Sequence, residues 1–177
     1  MEGYKDNSGF NAVFGSSGSG GVTPSSQAYF SGISVLGQTC GLPFSVVDVT
    51  PEVTLLSQDI TAGTDGTLTY NLEGLYALNF SLQIIRRTGG GSGENFWVWL
   101  LLNGSNVSNS ATSYVVNSNL RYNVASLDFL LRLDAGDQVK IVWTTDNSDI
   151  ELLFESAPTG RPYPDIPSVI VNSWKIN

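Results

Sequence analysis

Any chemistry this chain performs must come from carboxylates, because it contains no histidine. That removes the usual general base, the Ser-His-Asp arrangement and the commonest zinc ligand. Glu151 and Glu155 bracket the apolar run 152–154 at even spacing, which on a strand puts both on one face. Paired carboxylates can run glycoside hydrolysis. Scattered surface acids are much the commoner arrangement, so the expectation is a chain that is not an enzyme. Asp146, Asn147, Asp149 and Glu151 form an oxygen-rich loop cluster of the kind calcium prefers. Their spacing is not that of an EF-hand, and a solvated turn accounts for them equally well. Asp146, Asp149 and Glu151 therefore stand as the calcium candidate, with no cofactor expected.

The remaining reactive or recognition groups are few. With a single cysteine, Cys40, no internal disulfide can form, and the thiol reads as a small buried hydrophobe. The segment 103–119 is rich in Asn, Ser and Thr, a composition that suits either a glycan- or receptor-binding loop or a solvated connection. Asn79, Asn103 and Asn106 each begin an Asn-x-Ser triplet. Asn79 falls inside a strand pattern, and the opening MEGYKDNSGF has no apolar core of a secretory signal, so glycosylation is not expected. A formal net charge of −8, with Arg86 and Arg87 side by side but no larger basic cluster, argues against nucleic acid. The longest apolar run, 96–102, is far shorter than a bilayer span, so no membrane insertion is expected.

What must position these groups is a set of strands. From residue 27 onward the chain alternates short apolar-patterned runs with turn clusters. The expected strands are 28–34, 44–50, 67–71, 74–85, 96–102, 113–116, 126–133, 138–144, 150–154 and 168–176. The breaks carry Gly, Asn and Asp at 63–66, 103–104, 135–137 and 146–148. No segment has a helical period, and many short strands indicate a sandwich or barrel. The LDAGD connection at 133–137 is short enough to make 127–133 and 138–143 a hairpin.

Strands 96–102 (FWVWLLL) and 127–133 (LDFLLRL) are apolar on both faces or nearly so. One face of an antiparallel sandwich is normally wet. The second cover is expected to be another subunit, with a long loop as the alternative. Trp97, Trp99 and Leu101, or else Val98 and Leu100, are the expected trimer interface.

Residues 1–26 differ from the rest. GSSGSGG at 15–21 is a flexible linker by composition. Tyr4, Phe10 and Phe14 precede it among polar residues, too sparse for a core; the segment reads either as a disordered tail or as a short anchor that orders when its aromatics enter a partner's pockets. The domain expectation is an anchor and linker at 1–26 and a globular head at 27–177.

Gly74, Tyr76, Leu78 and Phe80, followed by Leu133, Gly136, Asp137 and Val139, and then the alternating segment 167–174, form an ordered set. It resembles the globular head of complement's first component, whose jelly roll is shared with the tumour necrosis factor superfamily. Leu78 stands where that pattern has an aromatic. The resemblance covers roughly residues 27–176 and implies an all-β, ten-strand antiparallel jelly-roll sandwich that assembles as a homotrimer. The chain also resembles the trimeric jelly-roll modules of bacteriophage and virus particles. That implies a non-enzymatic virion structural protein, a capsid decoration or head fibre at the virion surface. Residues 1–26 would bind the capsid or another virion protein. A soluble lectin-like or cytokine-like trimer, or a tail-fibre knob, that recognises a glycan or receptor is the alternative.

Overall fold

The computed structural model describes residues 27–87, 93–117 and 122–176. The anchor residues Tyr4, Phe10 and Phe14 and the linker lie outside them. Among the described residues there is no helix, and the strands in chain order are β1 (Tyr29–Ser34), β2 (Gln38–Thr39), β3 (Val47–Asp48), β4 (Val53–Gln58), β5 (Ile60–Ala62), β6 (Leu68–Tyr70), β7 (Gly74–Arg86), β8 (Glu94–Leu102), β9 (Ser105–Asn106), β10 (Thr112–Val116), β11 (Tyr122–Leu133), β12 (Gln138–Thr145), β13 (Ile150–Leu152) and β14 (Val169–Ile176).

These strands form two antiparallel sheets. In the first, β11 and β14 flank β7, β1 follows β14, and β4 closes the edge; β13, carrying β2, extends along β7 beyond β14. In the second the order is β10-β8-β12-β6-β5, with β3 beside β12 and β9 beside β8. The period-2 pattern of β7 is what fixes its place. Tyr76, Leu78, Phe80, Leu82 and Ile84 are all at most 1 % exposed and face the second sheet, whereas the intervening residues face outward. Phe96, Val98 and Leu100 of β8 and Val139, Ile141 and Trp143 of β12 meet them from the other side. The Phe96 and Trp143 rings stack at 5.2 Å, and Tyr70 meets Tyr76 edge-on at 4.7 Å. Each such fully buried side chain contributes roughly 1.5–3 kcal/mol of transfer free energy.

One buried polar contact ties the sheets together. Ser173 Oγ on β14 donates to the Ala77 carbonyl at 2.9 Å, so the Tyr70 hydroxyl on β6, 3.0 Å away, donates to Ser173. Burial pushes the Tyr70 phenol up to about 12.

Two expectations need correction. β11 and β12 do not form a hairpin: β11 pairs with β7 in the first sheet and β12 with β8 in the second. The turn between them is held by β6 instead, since Gly136 N donates to the Tyr70 carbonyl at 2.7 Å and Tyr70 N to the Asp137 carbonyl at 2.9 Å. The short connection therefore carries the chain from one sheet to the other. The strand count also exceeds the expected ten. β4 and β5 lie outside the expected strands; VTLLSQ at an edge buries neither face well and so lacks a two-residue period.

The 63–67 turn is clasped to the second sheet. Lys140 Nζ lies 2.6 Å from Asp48 Oδ2 and 2.9 Å from Asp65 Oδ2. The hydrogen bond from Lys140, then those from Thr67, hold the Asp65 carboxyl far below its ordinary 3.8, and the two carboxylates raise Lys140 above 10.5. A depressed carboxyl pKa gives stability that is present above 3.8 and is lost as pH falls through the folded value. A raised ammonium pKa gives stability that is present below 10.5 and lost as pH rises through the folded value. Asp65 is exposed, so screening keeps the effect small. Lys140→Met should flatten both limbs of the stability–pH profile in urea titrations, with the difference from the parent shrinking in high salt.

Candidate functional site

Among the described residues the candidate carboxylates are each placed with a different partner. β13 ends at Leu152, so Glu151 and Glu155 do not share a strand. Glu151 is buried, and its Oε1 lies 2.6 Å from the Arg87 guanidinium, which raises the arginine's pKa. Glu155 forms an isolated backbone bridge with Ile166. Both oxygens of Asp146 accept from Asn95, from its backbone N–H at 2.8 Å and its side-chain amide at 2.7 Å. Asn147 Oδ1 accepts from the Asp149 N–H at 2.8 Å, closing the turn. The calcium candidates Asp146 and Glu151 are thus each committed to a protein partner. Among the described residues no group of three acidic, Cys or His side chains is placed to hold a metal ion.

The Asn-rich segment is also partly structural. Asn103 and Gly104 both have positive φ, 49° and 78°, as a tight hairpin turn requires. The Asn103 amide bonds Asp137 Oδ1 at 2.8 Å, while its oxygen accepts from Gln138 N at 2.9 Å. Asn106 accepts the Trp99 indole N–H at 2.8 Å. Cys40 is buried, with its Sγ 2.9 Å from the Leu42 carbonyl.

Of the two expected interface sets, the structure turns Val98 and Leu100 into the core and Trp97, Trp99 and Leu101 outward. The outward set is not bare. Val142, beside Trp99 in register, is 0 % exposed yet lies outside the core cluster. The chain's own segment around β3 crosses here: Phe44 packs on Trp97 at 6.0 Å, Phe44 N donates to the Thr145 carbonyl and Thr144 Oγ1 to the Ser45 carbonyl. The greasy strand is covered in part by its own chain.

Exposed apolar residues remain on that side too, at Leu42, Phe44, Val46 and Val115, but a second apolar surface lies on the other sheet. On its outward face β11 presents Tyr122, Val124 and Leu130, β14 presents Trp174 and Ile176, and Tyr29 and Leu56 continue it along β1 and β4. Leu130 is 69 % exposed and Trp174 47 %. The outward charged side chains of β1, β7, β11 and β14 are Asp128 and Arg132, which balance in a chain carrying −8 overall. A shallow groove of about 240 Å³, walled by Gln83, Tyr122, Leu153, Glu155 and Ile166, opens at one end of this face. In the sequence only the doubly apolar run 127–133 pointed to this face, because its other apolar residues are spread over strands far apart in the chain.

Many solved structures resemble this arrangement, two of them as follows. The globular domain of zebrafish complement 1qA aligns over 85 % of this chain and 98 % of its own, at 19 % identity and a TM-score of 0.52. Murine APRIL aligns over 85 % and 99 %, at 13 % identity and a TM-score of 0.53. The chain shares their jelly-roll fold. The first of them is a complement head of the kind the motifs at 74–80 and 133–139 resemble, so the fold expectation from those residues holds. No protein-family model matches the jelly roll, and no curated protein matches it. Among the described residues no helix is long and apolar enough to cross a membrane.

Proposed function

We propose that this jelly roll is the head of a non-enzymatic homotrimeric virion structural protein. In this reading it projects from the particle as a decoration or head fibre, while residues 1–26 attach it to the capsid. The observation that carries the assembly is the apolar, charge-balanced outward face of the first sheet. Contiguous exposed patches of this kind mark interaction sites. A balanced pair of charges within an acidic chain suits a copy of the same chain better than a basic partner. The apolar residues also lie towards both edges of one sheet, Leu130 and Val124 on β11 and Leu56 and Tyr29 on β4 and β1. Two different patches on one subunit make a heterologous contact, which forms a ring when its rotation closes. The fold likeness favours three copies.

The virion role rests on the sequence of the tail: aromatic residues Tyr4, Phe10 and Phe14, a Gly/Ser tether, and a head rich in Gly, Ser, Thr and Asn with few charges. Sedimentation equilibrium at micromolar concentration is expected to give three times the 19.0 kDa protomer mass. A stable folded monomer there would sink the assembly. Deleting residues 1–26 should keep the trimer and abolish incorporation into particles; a deleted chain that still incorporates would remove the anchor. A strong hit on a glycan array would move the reading to a soluble adhesive trimer.

A further inference from the structure

A polar row crosses the middle of the apolar face. Asp128 on β11 is in register with Asn79 on β7, Asn79 with Asn172 on β14, and Asn172 with Ser31 on β1. The Asn79 amide donates to Asp128 Oδ1 at 2.5 Å. Asn172 and Ser31 have no side-chain hydrogen bond among the described residues, so their donors and acceptors remain free to meet a facing surface. Adjacent strands lie about 4.8 Å apart, so the four side chains make a line roughly 14 Å long perpendicular to the strands. One step away in one direction the row gives way to Leu130, Ala77, Trp174 and Tyr29, also in lateral register, and in the other to Ser126, Ser81, Ile170 and Ile33.

An apolar surface alone does not define how two copies align, because it is nearly indifferent to sliding. A polar line within it is not. In the correct register its groups find partners; shifted one step towards the Leu130 row, Asp128 is pressed against hydrocarbon with only its own Asn79 amide as partner, and Asn172 and Ser31 with none, which burial penalises heavily. A buried polar residue in an apolar seam fixes register and copy number in this way in coiled coils, at a cost in affinity.

We propose that the row Asp128–Asn79–Asn172–Ser31 is the register key of self-association: it weakens the contact but restricts the protein to one assembly. The inference rests on the self-association reading above. The test is Asn79→Leu combined with Asp128→Leu in the full chain, read by sedimentation velocity and native mass spectrometry over a dilution series. Association should tighten by roughly ten-fold or more while the single trimer gives way to a mixture of sizes. Asp128→Asn, which can retain the bond to Asn79, should keep the parent distribution. Should the double variant not fold, Asn172→Leu alone is expected to give the same broadening to a smaller extent.

A single trimer species at unchanged or weakened affinity in the leucine variants would overturn the key. Failure of the underlying reading is separate: Leu130→Asp would then leave the parent mass unchanged as well. Broadening with tighter association in the leucine variants, and none in Asp128→Asn, establishes it.

Discussion

Leu130→Asp combined with Trp174→Asp is expected to convert the assembly to folded monomer. Both side chains point away from the core, at 69 % and 47 % exposure, so the protomer should keep its unfolding midpoint when compared as monomer. In the assembly each change removes a large apolar contact and sets a carboxylate into a desolvated surface. Truncating a central anchor of an interface costs about 2 kcal/mol or more. Two such losses are then on the order of 4 kcal/mol, or roughly a thousand-fold in association. Val115→Asp supplies the comparison: Val115 is 56 % exposed on the outward side of the second sheet, in register with Asn95 on β8. That variant should retain the parent mass. If Val115→Asp dissociates the assembly and the double variant does not, the contact lies on the Trp97, Trp99 and Leu101 face.

The difference between those two faces shows where sequence reading reached its limit. The alternation in β7, β8 and β14 is strong because one face of each strand is wholly buried, so the pattern states which residues form the core. The pattern of β8 also states that its other face is apolar, but not what lies on it. The cover turned out to be the segment around Phe44 and Asp48, distant in sequence and without a strong period of its own. The same blindness applies to Glu151, whose partner is Arg87, and to the turn at 134–137. Its local chemistry permits a hairpin; the deciding bonds come from Tyr70. The row Asp128–Asn79–Asn172–Ser31 is the extreme case. Each residue is an ordinary polar position on its own strand, and only the register of four strands from across the chain makes them a line.

The largest loss of protomer stability from a single methyl group is expected at Gly66. Its φ is +77°, and a Cβ there would lie 2.1 Å from the Val49 carbonyl oxygen and 3.0 Å from its carbon. The obstacle is backbone, held in place because Val49 N donates to the Ile141 carbonyl at 2.9 Å, so it cannot rotate aside as a side chain would. Alanine would carry the left-handed backbone penalty of roughly 1–2 kcal/mol and an overpacking cost of roughly 1–3 kcal/mol. Gly104 separates the two. Its φ is +78°, but nothing lies within 4 Å of its Cβ position, so Gly104→Ala should cost only the backbone penalty. Denaturant unfolding at matched protomer concentration should therefore place Gly66→Ala below Gly104→Ala by about 1–3 kcal/mol. The extra loss should come with a weaker clasp, since moving residues 63–67 off Val49 draws Asp65 away from Lys140. The pH profile of Gly66→Ala would then approach that of Lys140→Met. Equal losses for the two glycines would mean that the turn yields without strain and that Val49 does not hold it.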